Sequence, residues 1–256
     1  MQTESPTISG AQTAHRTLDL LRRVGEKHLE GVRLAELLEA TGLQRSTAHR
    51  LIACLVSEGF VERDTETRRY RLGVEAMQLG LAWGGGAPLI ERCAPAMQRI
   101  ARLTGDTVFL IVRSGDYALC LHREEGAFPI KAFVVDEGMR RLLGLSAVGV
   151  AMLAALPDED IHALYQRSAV EYRRSGVSLE MLRDLVKNAR RLGYSETTDW
   201  RTRETSGVGC AFLMSAHTRI GVSVAAVNSR MTEGRRKELG DLIRAETGEL
   251  QWTGRN

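Results

Sequence analysis

Over the first third of the chain the apolar positions recur at helical spacing in short blocks, and each block ends on a turn signal. Leu18, Leu21 and Val24 predict a helix over residues 14–24. Leu34, Leu37 and Leu38 predict a second over residues 33–40, stopped by Gly42 where the backbone must turn left-handed. Ala48, Leu51, Ile52, Leu55 and Val56 form the apolar stripe of a third, over about residues 44–57. Opposite that stripe stand Arg45, Ser46, His49 and Arg50, so this helix has a face to bury and a face to show. Residues 60–63 and 69–72 then read as two short strands around residues 64–68. Two short helices joined by a tight, glycine-containing turn make a helix-turn-helix, and the hairpin behind it is a wing.

The remaining pattern predicts a different architecture. Residues 74–83 read as a short apolar helix through Met77, Leu79 and Leu81, and Gly84, Gly85 and Gly86 read as a joint. Such a helix either pairs with its copy in a dimer or packs on its own domain. Residues 88–103 predict a longer helix with Ile90, Cys93, Ala94, Met97, Ile100 and Ala101 on one side. Strands are expected at 107–112, 117–122 and 130–135, the first two joined as a hairpin. A buried helix of small apolar residues follows at 145–156, then helices at 158–167 and 179–192. A polar run, 195–206, crosses to strands at 208–214 and 220–227, and a helix from 232 to about 249 closes the chain. This is an α+β domain with helices on a sheet. The expected partition is a mobile arm over 1–12, a winged helix-turn-helix over 13–73, a linker helix and hinge over 74–87, and a sheet domain over 88–256.

Composition narrows the function. The charged fraction of 26% and hydrophobic fraction of 43% are those of a soluble globular protein, and a net charge of +3 does not by itself call for nucleic acid. The placement of arginines does. Arginine offers a two-pronged donor to guanine edges or phosphate, Ser46 and Thr47 reach phosphate oxygens, and the amino end of the helix favours anions. On the wing, Arg68, Arg69 and Arg71 come within reach of phosphates. An ordinary helical hairpin with solvated arginines is the plainer alternative, and turn, wing and arginine clustering together outweigh it. Cys54, Cys93, Cys120 and Cys210 are isolated, so no metal site, cofactor or redox pair is expected, and a reducing cytoplasm is. No leader pattern or membrane-length apolar run stands in the sequence.

Other chemistry is weaker. Cys210 with His122 could be offered as nucleophile and base, but no catalytic signature surrounds either. Gly84, Gly85 and Gly86 lack the Lys-Ser/Thr of a phosphate loop. Asp158, Glu159 and Asp160 suit the start of a helix, and Arg173-Arg174 and Arg235-Arg236-Lys237 read as solvated faces.

In order, LDLLRRV, LAELLEATGLQRSTAHRLIACLVSEGFVERD, YRLG, PAMQRIARLTGDTVFLIV, GYSETTD, GVGCAF and GVSVAAVNSRM resemble the IclR family of bacterial transcriptional regulators. The resemblance runs from about Thr13 to near the C-terminus. It implies a winged helix-turn-helix joined by a linker helix to a GAF-like effector-binding domain, in a homodimer or dimer of dimers. The DNA-reading segment falls on Gln44, Arg45, Ser46, Thr47, His49 and Arg50, and the wing on residues 65–71. An effector carboxylate is expected on the backbone amides of Ala147 and Val148, with side chains from Cys210, Ser223 and Asp199. The chain departs from the family where Gly144-Leu145-Ser146-Ala147-Val148-Gly149-Val150 lacks a His and a Lys, and where Ala225 replaces a second Ser. A more apolar pocket follows, suited to a ring-bearing, aromatic or longer acid.

The expected function is a ligand-responsive, sequence-specific regulator of a catabolic operon, repressor or activator, binding double-stranded operator DNA and a small organic acid. Two competing readings are an enzyme with a fused winged helix, in which Cys210 matters for turnover, and a winged helix used to dock proteins.

Overall fold

The computed structural model describes residues 10–82, 87–132, 134–199 and 203–253. The chain divides between Ala87 and Pro88 into two compact units, each with its own core. The glycine joint and the first nine residues of the expected arm lie outside the described residues.

In the first unit, α1 (Gln12–Glu26), α2 (Leu34–Thr41) and α3 (Arg45–Ser57) precede a hairpin of β1 (Val61–Arg63) and β2 (Tyr70–Leu72), and α4 (Val74–Ala82) follows. The three apolar stripes meet in one core: Leu20 and Val24 of α1, Leu37 of α2, and Leu51, Ile52 and Leu55 of α3 are all buried. Tyr70 closes that core from the wing, and Val32 pairs with it through reciprocal backbone bonds of 2.9 and 2.8 Å. Gly42 takes φ 66° and donates its amide to Leu38 O, ending α2 as its sequence requires. Val56 is 37% exposed, because it sits one residue beyond Leu55 and rotates to the edge of the stripe. The helix α4 buries none of its residues within the unit.

The second unit is a six-stranded antiparallel sheet in the order β5-β4-β3-β8-β7-β6. Its strands are β3 (Thr107–Ser114), β4 (Tyr117–Glu124), β5 (Arg140–Leu142), β6 (Ser195–Thr198), β7 (Thr205–Leu213) and β8 (Arg219–Val227). One face carries Val108, Leu110, Val222 and Val224 against α5 (Ala87–Thr104) and α10 (Glu233–Thr247). The other carries Phe109, Ile111 and Ala225 against α6 (Ala147–Ala154), which is covered by α7 (Asp158–Arg167), α8 (Ala169–Arg174) and α9 (Leu179–Leu192). Glycines let α6 lie flat on the sheet. A Cβ at Gly209 would stand 2.8 Å from the Val148 amide, and one at Gly221 would stand 2.2 Å from Val148 Cγ2.

The strand expected at 130–135 does not form among its described residues, and the sheet edge is made by β5. Side chains replace the ladder there: Lys131 Nζ donates to Gly126 O and Arg141 Nη2 to Val134 O, while Ala132 is buried and Ile130 is 61% exposed. Within the polar run, β6 forms an edge strand pairing Ser195 with Gly209 and Thr198 with Ser206. Its polar residues suit an edge, and for that reason it carries no apolar alternation.

Candidate functional site

The first candidate surface is the outward face of α3. Gln44 stands at its N-cap with no side-chain cap, so the first-turn amides are left for an outside acceptor. Gln44, Arg45, Ser46, His49 and Arg50 are exposed, whereas Thr47 is half-buried beside Ala48. These are the residue types and spacing that a major-groove helix needs.

The wing differs from the expectation. Tyr70 points into the core, so its neighbours Arg69 and Arg71 point to the hairpin's opposite face. There Arg69 Nη1 donates to Gly31 O at 2.7 Å and lies 3.9 Å from Glu36, and Arg71 lies 3.5 Å from Asp64. Both are half-buried and engaged within the domain rather than offered outward. Arg68, at φ 58°, is an exposed cation of the wing, as is Arg63 on β1. Glu36 is held below the ordinary carboxylate range by Lys27 and the Arg33 amide, and Asp64 by the Thr67 amide and side chain.

The second candidate is a cavity of ≈ 60 Å³ between the start of α6 and the sheet. Ser146, Ala147 and Ser223 line it, together with Arg141, Thr197 and Val134. Ser146 caps α6, accepting the Gly149 amide at 3.2 Å. Ser223 is 8% exposed, and directly across β3 from Ala225 the buried Thr107 hydroxyl has no partner among the described residues.

Three of the five expected pocket residues stand elsewhere. Val148 packs against Gly209 and Gly221 beneath the helix. Asp199 takes φ 51° and accepts bonds from the Glu204 amide at 2.6 Å and Asn228 Nδ2 at 2.8 Å, closing its own turn. Cys210 lies on the other sheet face, its Sγ 3.8 Å from Gly240 O. The cavity's accessible lining is mainly apolar, as expected, but Arg141 and Thr197 add a cation and a hydroxyl that reading the sequence missed. The Arg140-Arg141 doublet was the available signal, hidden because β5 itself went unread.

Known proteins share both halves of this geometry. A family model described as the IclR helix-turn-helix domain matches residues 13–65, and one described as bacterial transcriptional regulator IclR C-terminal matches residues 85–252. The chain belongs to the IclR family of bacterial transcriptional regulators. The HTH-type regulator BhcR of Paracoccus denitrificans is 28% identical over 251 residues, spanning 95% of this chain and 87% of that protein. The repressor AllR of Escherichia coli K12 is 27% identical over 252 residues, 95% of this chain and 90% of its own. Among solved structures, an IclR-family regulator from Brucella abortus superposes with a TM-score of 0.77 at 18% identity, over 97% of this chain and 96% of that one. An IclR homologue from Microbacterium hydrocarbonoxydans, solved with 4-hydroxybenzoate, gives 0.66 at 19%, over 94% and 98%.

The IclR assignment makes the first unit a winged helix-turn-helix and the second a GAF-like domain. It identifies a DNA-binding transcriptional regulator and not an enzyme. The chemistry agrees: burial pushes the Cys210 thiol up to about 12, leaving essentially no thiolate at neutral pH. His122 is instead bonded to Glu137 at 3.0 Å. Among the described residues no helix is long and apolar enough to cross a membrane.

Proposed function

We propose that this regulator reads its operator with Gln44, Arg45, Ser46, Thr47, His49 and Arg50, and that a small organic acid seated beside the first turn of α6 sets its affinity for that operator. The observation that carries the ligand reading is the cavity itself. It brings a guanidinium, the hydroxyls of Ser146, Thr197 and Ser223, and the amino end of a helix around one space. On the same sheet face, beside the lining residue Ala225, the buried Thr107 hydroxyl has no partner among the described residues.

At ≈ 60 Å³ the cavity is far below the roughly 300–1,000 Å³ of occupied ligand sites, so seating an acid requires its lining to open. Cytoplasmic catabolic intermediates are the ligand class, and 4-hydroxybenzoate, present in the Microbacterium hydrocarbonoxydans relative, is the first compound to try. Val74, Met77, Leu79 and Leu81 leave α4 apolar and exposed, which supports pairing with its copy in a homodimer or dimer of dimers. A two-fold dimer requires a roughly palindromic operator with half-sites about one helical turn apart or a multiple of it. Residues 74–87 would connect the reading and sensing units.

The test is a gel shift on the intergenic DNA next to the protein's own gene, with and without a panel of small carboxylates. A salt-sensitive shift on one fragment that a single acid strengthens or releases is the expected result. By linkage the operator must then change the acid's affinity by the same factor. A folded protein that shifts no fragment at any salt would overturn the reading, and a shift indifferent to every acid would remove its sensing half.

A further inference from the structure

The first unit holds a second concave surface, of ≈ 390 Å³, between the starts of α2 and α3 and the wing. Arg33, Arg45, Arg63 and Arg68 line it, with His49 and Thr67, over a floor that includes Tyr70. No acidic side chain is among the lining residues. Among the described residues none of the four guanidiniums makes an ion pair, in contrast to Arg69 and Arg71 behind them. Four unpaired like charges converging on one hollow repel one another, and an anion from outside would relieve that repulsion.

The local backbone aims these cations. Arg33 is the extended residue before α2, fixed by its backbone N–H donating to Glu36 Oε2 at 2.9 Å, and Arg45 opens α3. Arg63 stands over the Tyr70 ring, 5.7 Å from its centroid. Arg68 occupies the left-handed region at φ 58°, which disfavours a non-glycine residue. The turn holds it there: Asp64 Oδ1 accepts the amides of Glu66 and Thr67 at 3.0 and 2.7 Å, and Arg68 N donates to Asp64 O at 3.0 Å. Backbone strain fixed by a capped turn, at a cation facing a hollow, fits a residue placed for a ligand.

We infer that this hollow is a phosphate clamp, in which Arg33, Arg63 and Arg68 grip the DNA backbone beside the groove entered by α3. The inference rests on the DNA-reading role of α3 and adds to it. It assigns two phosphate-binding residues, Arg33 and Arg63, from outside the recognition segment, and transfers the wing's grip on phosphate from Arg69 and Arg71 to Arg63 and Arg68. Bonds to phosphate carry no sequence information, so the clamp fixes register and strength while α3 selects the site.

The experiment is fluorescence anisotropy of the full-length protein on random-sequence duplex DNA and on its shifted operator fragment, from low to moderate salt. The Arg33→Ala, Arg63→Ala double variant should weaken both duplexes alike and flatten the log–log salt slope by about 0.9 for each phosphate no longer neutralised. Arg63→Lys should keep the slope, and Arg69→Ala should leave it unchanged. Circular dichroism confirms that each variant is folded. If wild type binds with a salt slope and the folded double variant shows the same slope and affinity, the clamp is wrong while the reading by α3 stands. If wild type binds neither duplex, the DNA-reading proposal fails first and takes the clamp with it.

Discussion

Gly209→Ala tests whether the contact between α6 and the sheet organises the ligand cavity. An added Cβ would lie 2.8 Å from Val148 N and 2.9 Å from Val148 Cα, against 3.4–4 Å for ordinary contact. The amide must therefore retreat, and restoring ordinary contact takes 3.4 − 2.8 = 0.6 Å. Both obstructing atoms are backbone, so no rotamer change relieves them and the first turn of α6 has to lift. Overpacking of this kind costs about 1–3 kcal/mol. For a domain of this size each kcal/mol lowers Tm by roughly 2–4 °C, so a fall of about 2–12 °C is expected. Two of the three tryptophans, Trp200 and Trp252, belong to the second unit and Trp83 falls before the Ala87/Pro88 division, so tryptophan fluorescence during urea unfolding is weighted toward the second unit, and a Trp83→Phe background removes the first unit's share. Any acid found to bind should bind the variant more weakly, because Ser146 and Ala147 move with the helix. Gly234→Ala is the control: it meets open space in the first turn of α10 and should be neutral or stabilising by up to about 1 kcal/mol. An unchanged urea midpoint for Gly209→Ala, or equal destabilisation of both variants, would refute the packing argument.

Three further outcomes are expected. Arg45→Ala and Arg50→Ala should each weaken operator binding by about 1–3 kcal/mol where the residue reads a base, measured by anisotropy against random duplex, and no weakening from either would remove α3 from the groove. Asp106→Ala should destabilise the second unit by about 3 kcal/mol, the low end for a buried pair, because Asp106 is 3% exposed and binds Arg230 Nε at 2.8 Å and Arg235 Nη2 at 2.7 Å, while both arginines keep some water contact. A urea midpoint equal to wild type would contradict it. In the native protein at pH 8 a disulfide reagent should titrate one rapid thiol, Cys54, since burial raises Cys93 and Cys120 to about 11 and Cys210 to about 12. Fast reaction of a second thiol would show that the second unit's core opens readily.

The winged domain was legible because its signals are local. Apolar stripes, the glycine at the end of α2 and the strands β1 and β2 are each set within a dozen residues, and they match the structure except at the stripe edges, where Leu18 and Val56 are exposed and Leu20 is buried instead. Its cations were harder to read. Whether Arg69 faces outward depends on the pairing of Tyr70 with Val32, which are 38 residues apart in the chain. That pairing turns Arg69 toward Gly31 O and leaves Arg68 exposed. The second unit shows the converse at residues 130–135, where an apolar run reads as a strand but β5 makes the sheet edge and the described residues of the run pair with no strand. Alternation describes a surface suited to a sheet, and a ladder also needs a partner.

Cys210 shows where more could have been read. Assigning it to the cavity with Ser223 requires both side chains on one sheet face. The register pairs Ser223 with Gly209 and Cys210 with Val222, so the two fall on opposite faces. Strand β7 carries that parity in its own sequence. Gly207, Gly209 and Ala211 alternate with Val208, Cys210 and Phe212, small residues on one side and large on the other. A helix can approach a sheet closely only over the small side, and the small apolar helix α6 was already expected nearby. Cys210 then belongs with Val208 and Phe212 under α10, while Ser223 belongs with the glycines beneath α6. The same parity places Gly221 and Ala225 beneath α6. On this reasoning a bulky residue at Gly207 should fill the cavity, since its Cβ would stand 3.4 Å from Ala147 Cβ and 3.5 Å from Thr197 Oγ1. Bulk added at Cys210 should disturb the packing of α10 and leave the cavity's shape unchanged.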